Sequence, residues 1–387
     1  MNKKWLFFVG LTMLLSACHV GRFFVYNFAN INDYKKFKNK EIKNSATKNF
    51  MFSYSMQSEY ANLLKEVKKN EQTVPFEEFL KKSNTVAFLV IVKDTIHYEW
   101  YHPKHNETTR FTSFSMAKSY ISALVGIAVD EGFIKSVNEP ITNYIKTFKN
   151  KGFDKITIEH VLNMRAGIKY VESYYNPFGN VAVGYYGRHL DRHMNKIKIK
   201  EDPDLNFEYI SIATQILGVI VEEAAGKTVS AYAEEKLWKP LGTEYDASWS
   251  LDKKNGREKA FCCINARTRD YARFGRLYLK EGNWEGSQLI SKDWVKKSTQ
   301  KGAYSKDAFY AYQWWHVPEK DKNGKQIIRP DFYAQGHLGQ YIYVSPSEEI
   351  IIVRLGENRG GIPWISQFRQ LATKITQMER YKISTIK

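Results

Sequence analysis

Residues 87–101 read AFLVIVKDTIHYEWY, two runs rich in β-branched and aromatic residues divided by Lys93-Asp94. Their composition and the polar dipeptide between them predict a β-hairpin over Thr85 to Tyr101. A counterpart comes near the other end of the chain. FYAQGHLGQYIYVSP (332–346) and EEIIIVRLGEN (348–358) have strand composition with a Pro-containing turn between them, and a helical pattern runs from Trp364 to about Tyr381. Residues 115 to about 300 are mostly helical in pattern. Strands at both ends with helices between them predict an α+β fold: an antiparallel sheet built from both chain ends, flanked by helices, with an inserted mainly helical region at about 140–260. A cleft is expected between the two parts.

The chain has 387 residues, 43% hydrophobic and 26% charged, which is ample for a buried core and excludes compositional disorder. Three cysteines exclude a multi-disulfide framework, and 10 prolines with 23 glycines exclude collagen-like material. The net charge of +17 favours anionic surroundings such as a membrane face or an acidic polymer. The lysines are scattered, with neither a glycine-rich phosphate loop nor an RNA-binding aromatic pattern, so nucleic acid is not expected as a partner and no cofactor is implied.

Asn2-Lys3-Lys4 followed by an apolar run from Trp5 to Leu15 has the order of a signal peptide, and the run is too short to span a bilayer. The tetrad Leu15-Ser16-Ala17-Cys18 resembles a bacterial lipobox. Residues 1–17 are therefore expected to be a lipoprotein signal peptide, with Cys18 the lipid attachment site that anchors an exported chain on the periplasmic or cell-surface side. The plainer alternative is an ordinary secretory signal with an incidental cysteine. Residues 18–60 carry Lys35, Lys36, Lys38, Lys40, Lys43 and Lys48 with few apolar anchors and read as a tether, the plainer alternative being a solvated face, ahead of a domain at 61–387. Cys262 and Cys263 are adjacent, where disulfide geometry is unfavourable, and are expected to be buried free thiols.

Ser115-Met116-Ala117-Lys118 opens SMAKSYISALVGIAVDEGF (115–133), whose apolar residues surround the helix and so predict a central, buried one. Serine and lysine three apart share a helical face. Burial and the helix N-terminus both disfavour the charged amine, so Lys118 can take the Ser115 proton. The same tetrad occurs at Ser45, Ser250, Ser298 and Ser384, but only at Ser115 does it begin a long apolar helix after a hairpin; elsewhere an N-cap serine with a surface lysine suffices. Tyr209-Ile210-Ser211, ahead of the helical run IATQILGVIVEEAAG (212–226), offers a phenol beside a hydroxyl for proton delivery. Gly336-His337-Leu338-Gly339-Gln340 begins a strand whose glycines permit close approach of a substrate, or simply a bend. His189 and His193 in HLDRH lack the glutamate that follows the first histidine of zinc proteases, and no metal is expected.

Together, Ser115-x-x-Lys118, Tyr209-x-Ser211 and His337-x-Gly339 resemble the three elements of the serine β-lactamase and penicillin-binding superfamily. The likeness is to its class C-like branch, nearest to the 6-aminohexanoate-dimer hydrolase-like esterases and amidases. It covers about residues 80–380 and extends to ITIEHVLNMRAGI (156–168) and ARTRDYARFGRLYLKEGNWEG (266–286). The resemblance implies a serine hydrolase that cleaves a small or short peptide-like amide or ester. Ser115 would be acylated, Lys118 and Tyr209 would shuttle protons, and the N–H groups of Ser115 and Gln340 would hold the oxyanion. Tyr174 in VESYYNPFG (171–179) matches a substrate-contacting tyrosine, with Tyr175 a near competitor and a packing role the alternative; Trp314 and Trp315 either wall the cleft or belong to the core. His337 stands where β-lactamases carry lysine, and Ser211 where asparagine is commoner. A class C-type β-lactamase, a D-alanyl-D-alanine carboxypeptidase and a non-catalytic lipoprotein that binds wall peptide are the competing readings.

Overall fold

The structure, a computed structural model, describes residues 19–26, 28–47, 49–56, 60–69, 72–299, 310–320, 323–324 and 326–385. The strands that organise it are β1 (Lys38–Ile42), β2 (Ser53–Tyr54), β3 (Thr85–Val92), β4 (Thr95–Tyr101), β5 (Phe111–Thr112), β6 (Ala247–Leu251), β7 (Ile264–Ala266), β8 (Tyr310–Ala311), β9 (Trp314–Lys320), β10 (Gln326–Gly336), β11 (Gln340–Ser345) and β12 (Ile350–Gly356). The main helices are α1 (His19–Tyr26), α2 (Ala117–Asp130), α3 (Ser211–Ala225), α4 (Thr268–Leu279) and α5 (Trp364–Thr385).

The expected hairpin is β3–β4, and both residues of its turn, Lys93 and Asp94, have positive φ, as a two-residue hairpin turn of the favoured hand requires. The principal sheet runs β8-β9-β10-β11-β12-β3-β4-β2. Every pairing is antiparallel except that of β2 with β4. Strand β12, from the far end of the chain, pairs directly with β3, so the sheet is assembled from both termini as the sequence predicts.

Alternation along β3 explains its uninterrupted apolar run. Leu89 and Ile91 enter one core while Phe88, Val90 and Val92 enter another. On the first face lie α2, α3 and α4; Gly275 of α4 sits so close to Ile342 and Ile351 that a Cβ would meet them at 2.9 and 3.2 Å. On the second, Trp364, Phe368, Ala372 and Ile375 of α5 pack with Phe76, Phe79 and Leu80. The result is three layers with the sheet in the middle.

Two expectations need correction. The described part of 18–60 is not a free tether: Phe23, Ile31, Ile42 and Phe52 are buried in the first core, and β1 pairs with β6 from Lys38↔Leu251 to Ile42↔Ala247. Apolar anchors spaced about ten residues apart among lysines escaped a reading based on charge density. Cys262 and Cys263 are joined as a vicinal disulfide rather than free thiols, with Cys263 at φ +75°, a backbone conformation that adjacency alone does not reveal. Residues 1–18, with the lipobox-like tetrad, lie outside the described residues. No helix among the described residues is long and apolar enough to cross a membrane.

Candidate active site

Strand β5 leads into α2 through Ser113 and Phe114, the latter at φ +46°, and Ser115 follows in a short 3-10 turn. Such a conformation in a bulky residue is a strained one that its surroundings must hold. They do so with the Ser113 N–H bound to the Ile264 carbonyl (2.9 Å) and both neighbours of Ser115, Phe114 and Met116, buried. Between residues 111 and 128, Ser115 alone is not buried. The turn thus presents one hydroxyl at the entry of a helix whose free N–H groups favour negative charge.

One helical turn on, Lys118 is 1% exposed. Its ammonium donates to the Phe261 carbonyl (2.9 Å) and to Ser211 Oγ (3.3 Å), and lies 5.3 Å from the centre of the Tyr209 ring. Desolvation pulls its pKa from 10.5 down to about 8, against the opposing pull of the Glu172 carboxylate. The Tyr209 phenol contacts the Ser115 hydroxyl; burial pushes its pKa up, and the serine contact offsets part of that. Trp315 backs the Tyr209 ring at 5.4 Å, whereas Trp314 is a core residue stacked on Phe274.

Ser211, the first residue of α3, donates both its N–H (2.8 Å) and its hydroxyl (2.6 Å) to Glu172. Tyr174 donates to the same carboxylate (2.9 Å) and stacks on His337 at 4.8 Å, with the planes 11° apart. Tyr175, its competitor, is exposed at the mouth. Phe114 meets His337 edge-on at 5.6 Å. Burial, reinforced by the Arg359 charge, lowers the His337 pKa to about 4, so the imidazole is neutral at neutral pH.

The glycines around His337 are required by the protein's own packing. A Cβ on Gly336 would meet the Ser113 carbonyl at 2.2 Å, and one on Gly339, at φ +84°, would strike the Arg354 guanidinium at 2.2 Å. Arg354 is fully buried and donates to the carbonyls of Gly339 (2.6 Å), Ser83 (2.9 Å) and Asn358 (2.9 Å). Gln340 spends its side chain on Gly356, donating to its carbonyl (2.6 Å) and accepting its N–H (3.1 Å), and donates as well to the His337 carbonyl (3.3 Å).

Ser115, Ser211, Tyr174 and His337 line one cavity with Phe28, Phe261 and Cys262, enclosing about 550 Å³ of empty space partly continuous with solvent. Ser115, Lys118, Tyr209, Ser211, Tyr174 and His337 are therefore brought together, while Gly339 and the Gln340 side chain are turned to the scaffold. Sequence reasoning missed Glu172, the Phe261 carbonyl and Phe28. Glu172 lies two residues before Tyr174 in a segment already singled out; nothing local marked the other two.

Residues 76–361 match the family described as Beta-lactamase. The chain belongs to the beta-lactamase family. It is 27% identical over 300 residues to the 6-aminohexanoate-dimer hydrolase of Paenarthrobacter ureafaciens, covering 72% of this chain and 74% of that protein. Among solved structures, the putative 6-aminohexanoate-dimer hydrolase from Bacillus anthracis superposes with a TM-score of 0.73 at 21% identity, over 92% of this chain and 94% of that one. A class C beta-lactamase superposes at 0.57 and 16% identity, over 78% and 93%. This member of the beta-lactamase family is a serine hydrolase with a β-lactamase/transpeptidase-like α+β fold.

Proposed function

We propose that this hydrolase cleaves a small amide or ester through an acyl-enzyme on Ser115. The observation that carries the reading is Lys118, a lysine buried one turn from a solitary accessible serine and brought by desolvation to a pKa of about 8. A neutral amine there accepts the Ser115 proton through the Tyr209 phenol, which touches the serine. The N–H groups of Ser115 and Gln340 hold the oxygen that gains charge, the leaving group departs with the proton, and water admitted to the same pocket releases the acid.

The neutral His337 favours substrates without a carboxylate at that end, and so an amidase or esterase over a penicillin-type reaction. The basic start, short apolar run and Leu15-Ser16-Ala17-Cys18 tetrad support an exported mature chain anchored through a lipidated Cys18; incorporation of a palmitate analogue that disappears in Cys18→Ser tests that placement. The chemical test is covalent labelling by a fluorophosphonate probe, with p-nitrophenyl esters, short amides and nitrocefin assayed side by side. Labelling and ester or amide turnover that vanish in Ser115→Ala are expected. Equal labelling of that variant would sink the proposal, and dominant nitrocefin turnover would move it to the β-lactamase side.

A further inference from the structure

A second cavity shares Tyr186 with the wall of the catalytic pocket and encloses about 790 Å³ of empty space partly open to solvent. Its lining is strongly basic: Arg22 of α1, Lys36, Lys38, Arg188, Lys253, Lys254 and, fully buried, Lys259. Asp252 is the one carboxylate among these lining residues, and its oxygens accept the backbone N–H groups of Leu190 and Arg257 (both 3.0 Å). Lys36 pairs with Asp33 at 3.1 Å. Lys38, Arg188, Lys253 and Lys254 have no carboxylate partner among the described residues. Lys259 sits 3.8 Å over the Phe37 ring and donates to the Tyr185 carbonyl; burial holds its pKa near 7, so an arriving anion would favour its charged form. The four cations with no carboxylate partner, Lys38, Arg188, Lys253 and Lys254, repel one another, a cost that an anionic ligand removes.

The helix that lends Arg22 and Tyr26 to this cavity also carries bare apolar side chains. Phe24 and Val25 of α1 are 65% and 70% exposed, and Phe28 touches Tyr175 at 6.2 Å, where both line the mouth of the catalytic pocket. Exposed aromatic and aliphatic side chains next to a cationic pocket match the two layers of a bilayer surface, acyl chains and phosphates.

We propose that this face docks on an anionic membrane: the basic cavity takes the phosphate of a lipid headgroup while Phe24, Val25 and Phe28 enter the interface, turning the catalytic mouth toward the bilayer. The exposed apolar side chains of α1 set this apart from a site for a free anion, which would need no Phe24 or Val25. The proposal does not depend on Cys18, because an acyl anchor is indifferent to headgroup charge.

The test is co-flotation of the full chain with vesicles of phosphatidylcholine alone or with about one third phosphatidylglycerol, at low salt. Binding at least tenfold stronger to the anionic vesicles is expected, for several basic contacts acting together. Arg188→Glu/Lys253→Glu removes most of that preference. Lys296→Glu/Lys297→Glu, an equal charge change on the helix Lys292–Thr299, keeps it. Thermal melts establish that both variants are folded, independently of any assay of hydrolysis. Equal binding to the two vesicle types, or an equal loss in the two double variants, would overturn the proposal. So would full displacement by millimolar inorganic phosphate, which would assign the cavity to a free anion.

Discussion

Lys118 concentrates the conflict between stability and chemistry. Its pKa is lower folded (about 8) than unfolded (10.5), so the unfolded chain binds more protons between those values and stability rises with pH across that window. Below it the full penalty applies, about 3 kcal/mol at most. Lys118→Met should therefore abolish activity, by about a thousandfold or more, while raising stability at pH 7 by about 1–2 kcal/mol once the lost hydrogen bonds are counted. Urea unfolding checks this, and the gain should disappear above about pH 10.5. In the wild type, kcat/KM should climb with pH through about 8 as the amine deprotonates. Glu172 holds that pKa up, so Glu172→Gln should shift the rising limb toward acid, read from the same pH profile. The Ser115–Lys118 pair was legible because three residues make one helical turn. Glu172 was not, because its bond to Ser211 spans 39 residues and exists only once α3 is in place.

At the scale of elements, the turn between β10 and β11 is held by a guanidinium rather than by its own sequence. Arg354 reaches across from β12 to fix the Gly339 carbonyl, and also bonds Thr85 Oγ1 at 3.0 Å in β3. Arg354→Met would strand several buried carbonyls and should cost about 3 kcal/mol or more, with parallel loss of activity as His337 drifts from Tyr174. Denaturant midpoints and ester hydrolysis on the same preparation read both. Strand existence here was legible from β-branched composition and the Pro346 turn, and the glycines were visible too. What they accommodate was not. Gly336 and Gly339 looked like room for a ligand, yet the space is filled by the Ser113 carbonyl and the Arg354 side chain, partners 223 and 15 residues away whose identity no local pattern carries.

For the molecule as a whole, the two-ended sheet was legible because both strand clusters are long, apolar and bounded by turns. The N-terminal arm was misjudged because lysines outnumber its anchors. Ile42 offers the sharpest check. It is fully buried and pairs with Ala247, so Ile42→Ala should lower stability by about 2–5 kcal/mol in urea unfolding, whereas the same change in a loose linker would move it by less than about 0.5 kcal/mol. The direct pairing of β3 with β12 has a further effect on when the enzyme becomes active. A polypeptide that emerges from its N-terminus delivers the nucleophile more than 200 residues ahead of the strand that closes its scaffold. Partly synthesised chains are thus dormant, and a protease that clips the last strand switches off a serine more than 200 residues upstream of the cut.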